Sequence, residues 1–199
     1  AYVSTTGGGA YNTLTYSTGT WTWKDGSTQT TITYGSNSRP AQETDANGNS
    51  LTFSYNGNLL TRITTSDGEH TDFTYSGTQL TKVTTTLTGG ATLTRVYYTY
   101  DGSGRLSTVT TDLSPGDNSI ADGKTIVTTY TYDSNGNVLQ SQDQAGDTVT
   151  YTYGSKNELL TTTQYLAATT TGNRPPVATN ENLVVSTIGD SATFDPRLD

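Results

Sequence analysis

The sequence predicts an all-β fold: a continuous antiparallel sheet of successive β-hairpins, forming a ribbon or partial shell. Three observations point there. Of 199 residues, 46 are Thr and 14 are Tyr, and Thr, Tyr and Val are strand formers. An aromatic residue and a Tyr recur two positions apart, the period that sets both rings on one strand face with Thr on the other. A short Gly, Asn or Asp turn follows each pair, and these residues tolerate the positive φ that tight hairpins need. Leu, Ile, Val and Phe total only 33, about 17% of the chain, so the apolar core is expected to be thin.

The first 30 residues are less regular. Trp21-Thr22-Trp23 sets two indoles on one face, Lys24-Asp25-Gly26-Ser27 reads as a turn, and Thr30-Thr31-Ile32 returns. Residues 1–30 are expected to form a degenerate hairpin or cap, with Trp in the Tyr slots. Residues 31–166 hold six repeats. Their steps are Ile32-Thr33-Tyr34, Phe53-Ser54-Tyr55, Phe73-Thr74-Tyr75, Tyr98-Thr99-Tyr100, Tyr130-Thr131-Tyr132 and Tyr151-Thr152-Tyr153. The second Tyr recurs at spacings of 21, 20, 25, 32 and 21, so the unit is about 21 residues with two insertions.

Each unit continues through a turn, such as Asn56-Gly57-Asn58, into a return strand carrying Leu59, Leu80, Leu106, Val138 or Leu159. A second turn, such as Asp45-Ala46-Asn47-Gly48-Asn49, leads to the next unit. A lone hairpin cannot bury its face, so stability must come from neighbouring repeats. Tyr34, Tyr55, Tyr75, Tyr100, Tyr132 and Tyr153 are the expected repeat core. The insertion from Ser114 to Lys124 reads as a polar loop. Residues 167–172 form a linker-like tract, and 173–199 open a different segment.

Tyr130-Thr131-Tyr132-Asp133-Ser134-Asn135-Gly136-Asn137 and Tyr98-Thr99-Tyr100-Asp101-Gly102-Ser103-Gly104 resemble YD repeats, also called RHS repeats. The resemblance covers about residues 30–165. The Tyr-Asp pair stands at 100–101 and 132–133, whereas Gly35, Asn56, Ser76 and Gly154 replace the Asp elsewhere. It implies a β-ribbon that, in bacterial toxins and teneurin-like receptors, spirals into a hollow shell. Six units are too few to close such a shell, so the architecture is carried over and toxin delivery is not. Residues 173–199, with Leu183-Val184-Val185 and Ala192-Thr193-Phe194, resemble the start of bacterial Ig-like or cadherin-like repeats. A whole sandwich needs about 100 residues, so this piece is either a truncated module or added strands.

Composition excludes much chemistry. Ten Lys and Arg against 18 acids argue against nucleic acid, which requires clustered cations. No Cys is present, which excludes disulfides and thiolate chemistry, and a single His70 excludes paired imidazoles. No run of 18 apolar residues exists, so no membrane insertion is expected. No cofactor is expected. The turn sequences at 45–49 and 133–137 offer alternating oxygens that suit calcium, but hairpin turns account for both without an ion. His70 reads as a solvated turn residue. The 18 acids do not single out a pair for glycoside hydrolysis, and no catalytic residue is assigned.

The chain is therefore expected to be a non-catalytic structural or interaction module of a secreted or cell-surface bacterial protein: a spacer, shell segment or filament subunit. Its acidic surface with few charges and its opening at Ala1 suggest a processed or excised piece of such a protein. Expected partners are other segments of a larger parent chain, or identical copies joined through edge strands. The alternative is a carbohydrate-binding module that stacks sugar on Trp21, Trp23 and exposed Tyr; polysaccharide is its partner.

Overall fold

A computed structural model describes residues 11–167 and the backbone of 2–3 and 185–186. The chain divides into two compact units, residues 1–96 with 114–122, and 97–113 with 123–199. The first unit holds β1 (Tyr2–Val3), β2 (Thr13–Ser17), β3 (Thr20–Lys24), β4 (Thr31–Tyr34), β5 (Pro40–Thr44), β6 (Ser50–Asn56), β7 (Leu59–Thr65), β8 (His70–Ser76) and β9 (Gln79–Thr86). Next comes β10 (Thr92–Tyr100), which contributes residues to both units. The second unit holds β11 (Leu106–Asp112), β12 (Thr125–Tyr132), β13 (Val138–Asp143), β14 (Thr148–Tyr153), β15 (Leu159–Tyr165) and β16 (Val185–Ser186). Within each unit the strands pair in an antiparallel sheet whose order is that of the chain.

One turn geometry closes eight of the loops. At Gly35–Arg39, Asp45–Asn49, Thr65–Glu69, Leu87–Ala91, Asp101–Arg105, Asp133–Asn137, Asp143–Asp147 and Gly154–Glu158, the first N–H donates to the fifth carbonyl. The fourth N–H donates to the first carbonyl, and the fourth residue has positive φ. This is a three-residue loop, a type I turn followed by a left-handed residue. Gly fills that fourth position in six of them; Ser38 and Asn157 fill the others. Two tighter turns, at Gly57-Asn58 and Gly77-Thr78, put Gly at the first central position with φ of 57° and 61°, the II′ arrangement that matches strand twist.

The expected alternation is present. In β6, Leu51, Phe53 and Tyr55 are half-buried while Thr52, Ser54 and Asn56 are exposed. Cross-strand pairs carry the same face onward, Phe53 opposite Ile63 and Tyr55 opposite Leu60, then Ile63 opposite Thr71. Yet among the described residues no apolar side chain is fully buried; only Arg95 and Asp112 are, each at 4% exposure. A single layer covers its apolar face from the sides, through neighbouring strands. The thin core expected from composition is therefore a half-shielded face.

Leu59 opens the return strand β7 and stands opposite Asn56, with Leu60 opposite Tyr55. Two sequence expectations change. Trp21 and Trp23 do not occupy Tyr slots. In register, Tyr16 pairs with Trp21 and Leu14 with Trp23, so Leu14-Thr15-Tyr16 is the additional aromatic-type step and Trp21 stands where other hairpins place Leu. His70 opens β8 and is no loop residue; its Nε2 lies 3.7 Å from Asp72 Oδ2, because residues two apart share a strand face.

The insertion folds onto the first unit, with one turn of 3-10 helix at Pro115–Asp117 and Asn118 Oδ1 accepting a hydrogen bond from buried Arg95. β16 pairs with β15 through Thr161–Ser186 and Thr162–Val185. Of the linker expected at 167–172, residues 168–172, and of the Ig-like segment expected at 173–199, residues 173–184 and 187–199, lie outside the described residues.

Candidate functional site

Because the chemistry is spread along the chain, the site that matters is the joint between one hairpin and the next. Pairing is unequal on the two sides of several hairpins, although β4 matches four pairs on either side and β12 five. Within hairpins, β6 and β7 match six residue pairs and β8 and β9 match seven. Between hairpins, β5 and β6, β7 and β8, and β13 and β14 each match only three.

Five of the hairpins share a bulge. At Tyr34, Tyr55, Tyr75, Tyr132 and Tyr153 the register shifts, because the return strand carries one extra residue opposite the step into the Tyr. The extra residues are Ala41, Thr61, Thr81, Leu139 and Leu160. A bulge leaves a residue unpaired and increases local twist. Thr61 and Thr81 return their hydroxyls to the carbonyls of Ser54 and Thr74, at 3.2 and 3.1 Å. Leu139 and Leu160 turn outward instead, with 40% and 47% exposure.

At Tyr75, Tyr132 and Tyr153 the backbone ladder to the preceding hairpin has already stopped, ending at Asp72, Thr129 and Thr150, and the Tyr spans the gap. The Tyr75 hydroxyl donates to the Leu60 carbonyl at 2.9 Å, Tyr132 to Leu106 at 2.7 Å, and Tyr153 to Val138 at 2.9 Å. Each bond runs from one hairpin to the return strand of the preceding one. At these three positions Tyr does what Phe cannot: Phe fills the face equally well but has no hydroxyl to donate. Burial raises the Tyr132 phenol above its ordinary value, and the Asp101 charge adds to the effect, so it remains a proton donor at neutral pH.

Beside the Tyr, a polar residue just before the return-strand apolar residue reaches the next turn. Arg39 lies over the Tyr55 ring, 5.6 Å from its centroid, and donates to Asn58 Oδ1 at 2.7 Å. Arg105 lies over Tyr132 at 4.8 Å and donates to the Asp133 carbonyl at 2.9 Å. Asn137 donates to Asn157 Oδ1 at 3.1 Å. A guanidinium suits this place because it stacks and donates in one plane.

The Asp of the Tyr-Asp pair organises its own turn. Asp101 Oδ1 accepts the N–H groups of Ser103 and Arg105, and Oδ2 accepts Arg105 Nε. Asp133 and Asp45 repeat this with Asn135 and Asn137, and with Asn47 and Asn49. These bonds hold all three carboxyls below their ordinary value: the backbone bond from Arg105 leads for Asp101, and side-chain bonds from Asn137 and Asn49 lead for Asp133 and Asp45. Where Asp is missing, another side chain substitutes. Asn37 Oδ1 accepts Arg39 N–H, and Glu158 accepts Lys156 N–H. Among the described residues no three His, Cys, Asp or Glu side chains gather as a metal site.

Of the residues singled out from sequence, Tyr75, Tyr132 and Tyr153 carry the hydroxyl bridges, and Tyr55 carries a stacked Arg. Tyr34 pairs across strands with Trp21, and Tyr100 ends β10. Trp21 is 40% exposed and meets Tyr16, itself 60% exposed, with ring centroids 5.0 Å apart, whereas Trp23 is half-buried. Sequence reading missed the bulges and Arg39, Arg105 and Asn137. Their signal was present: Arg39 and Asn137 stand immediately before Pro40 and Val138, which face Tyr34 and Tyr132, and Arg105 immediately precedes Leu106, which opens its return strand.

The fold and its joints define an all-β hairpin-repeat protein. Residues 34–70 match the RHS repeat family, a stretch holding the units of Tyr34 and Tyr55. A search of curated proteins finds no match. Among solved structures, the chain is similar to the TcdB2-TccC3-Cdc42 complex, with 16% identity and a TM-score of 0.48, over 76% of this chain and 9% of that one. The TcdB2-TccC3 complex aligns at 15% identity and a TM-score of 0.46, over 75% and 10%. The Photorhabdus luminescens Tc holotoxin pore aligns at 17% and 0.45, over 69% and 9%. The chain thus spans about a tenth of each of these relatives.

Proposed function

We propose that this chain is a structural module, a run of stacked hairpins serving as a spacer or shell segment within a larger secreted or cell-surface protein. The observation that carries this reading is the Tyr hydroxyl bridge that recurs at Tyr75, Tyr132 and Tyr153, each time from one hairpin to the preceding one. Side chains are spent on joining repeats, and the turn carboxylates are spent on closing turns. Such a module works by holding a defined backbone, and its partners are the parent chain's neighbouring segments. Limited proteolysis of the purified chain tests it. Residues 31–166 should survive as a resistant fragment, and rapid cleavage within the repeats would refute a scaffold role. Light scattering at rising concentration tests edge-strand pairing between copies, and a monomer throughout would remove the filament version.

A second reading has one observation in its favour. The exposed Tyr16–Trp21 pair offers a flat apolar surface on which a sugar ring can stack. Calorimetric titration with polysaccharides decides it: Trp21→Ala should abolish saturable binding, and no binding to any polysaccharide would discard the reading. Half-buried Trp23 would not contribute.

A further inference from the structure

Three Asn-Gly steps occupy turns: 47–48, 56–57 and 135–136. Such a step can cyclise. The glycine nitrogen attacks the side-chain amide carbon of Asn, a carbon–nitrogen bond forms, and ammonia departs with the proton the glycine nitrogen gives up. Water then opens either carbonyl–nitrogen bond of the ring, giving aspartate or isoaspartate. The reaction requires the glycine N–H to be free to lose its proton.

The fold separates the three steps. The Gly48 and Gly136 N–H groups donate to the carbonyls of Asp45 and Asp133, each at 3.2 Å. Asn47 and Asn135 are themselves held through their N–H groups by the Asp45 and Asp133 carboxylates, whose charge also opposes an anion forming nearby. At 56–57 the loop is the tighter II′ turn. Neither the Gly57 N–H nor the Asn56 side chain makes a hydrogen bond among the described residues, and Asn56 is exposed. The space beside Gly57 is open, as it is beside Gly48 and Gly136, so the hydrogen bonds are what separate the three. This turn contains no carboxylate, and the Arg39 guanidinium sits on Asn58 Oδ1 at 2.7 Å, where its charge favours the anion.

We propose that Asn56 is a site of spontaneous deamidation in the folded protein, with Asn47 and Asn135 protected by their turns. The two products act differently on the joint. Aspartate recreates a Tyr-Asp pair at 55–56. Isoaspartate adds a carbon to the main chain beside the Tyr55–Leu60 pair, displacing the carbonyl that Tyr75 bridges.

The test is to incubate the full chain at mildly alkaline pH in water enriched in heavy oxygen and map label into peptides over time. Asn56 should convert about tenfold faster than Asn47 or Asn135, the factor that one net hydrogen bond of about 1.4 kcal/mol is worth. In denaturant the three rates should converge, and Asn56→Gln should remove labelling there while leaving the other two unchanged. Equal rates in the folded chain, faster conversion at Asn47 or Asn135, or a rate difference that persists in denaturant would each overturn the proposal.

Discussion

Replacing Tyr75 with Phe removes one hydroxyl and leaves the ring in place, so it isolates the bridge to the Leu60 carbonyl, 2.9 Å away. A net intramolecular hydrogen bond contributes about 0.5–1.5 kcal/mol. The joint is only half-buried, so water can reach the abandoned carbonyl, and about 1 kcal/mol is expected. With a urea slope of about 1–3 kcal/mol/M, the midpoint should fall by about 0.3–1 M. Tyr153→Phe should cost a similar amount. Tyr132→Phe combined with Tyr153→Phe should not be additive, because Tyr132 faces Val138 and the carbonyl of Val138 accepts Tyr153. Tyr55→Phe is the control: its ring carries Arg39, but its hydroxyl has no hydrogen bond among the described residues. The assay is urea unfolding followed by circular dichroism and by Trp fluorescence, which also checks that the repeats unfold together. Equal shifts for Tyr55→Phe and Tyr75→Phe would refute the claim that the hydroxyl joins hairpins.

Acid should loosen the turns. Asp25 is lowered from 3.8 to about 2, chiefly by its hydrogen bond from Ser27, and Asp45, Asp67, Asp101 and Asp133 are also lowered. A depressed folded value contributes stability that is complete above the unfolded value and lost as pH falls through the folded one. The urea midpoint should therefore hold steady down to about pH 4 and drop towards pH 2; a flat profile over that range would contradict the turn hydrogen bonds. Gly136→Ala, at φ of 90°, should cost about 1–2 kcal/mol. Gly102→Ala, with open space and no positive φ, should be near neutral, and thermal melts of the two variants compare them. Arg105→Lys should lose about 1–2 kcal/mol despite keeping its charge, because an ammonium cannot both stack on Tyr132 and bridge Asp101 to Asp133; unchanged urea stability would show that the stack contributes nothing.

The strand repeat was legible because alternation and turn residues are local, and both survive wherever the Tyr-Asp pair degenerates. The joints were less legible. Leu59 and Leu60 are chemically alike, and only the length of the turn decides which one faces Tyr55. A bulge leaves no distinctive residue, since Ala41, Thr61 and Leu139 share only a position. Trp21 and Trp23 imitate the aromatic-x-Tyr spacing, but period two is common to both strands of a hairpin and cannot say which strand carries it. Arg39 and Arg105 look like ordinary surface charges until the register brings them over a neighbouring ring.

Each described pairing in the two units joins strands that are consecutive in the chain. Contacts of such low sequence separation close small loops, and topologies built from them fold quickly. Hairpins form in about 1–10 μs, far faster than a ribosome adds residues, at about 5–20 per second. Each hairpin can thus be complete before the next has been synthesised or threaded through a narrow exit. Its last strand then serves as the template on which the next hairpin pairs. The order of synthesis becomes the order of assembly, and among the described strands cited here none has to wait for a distant partner.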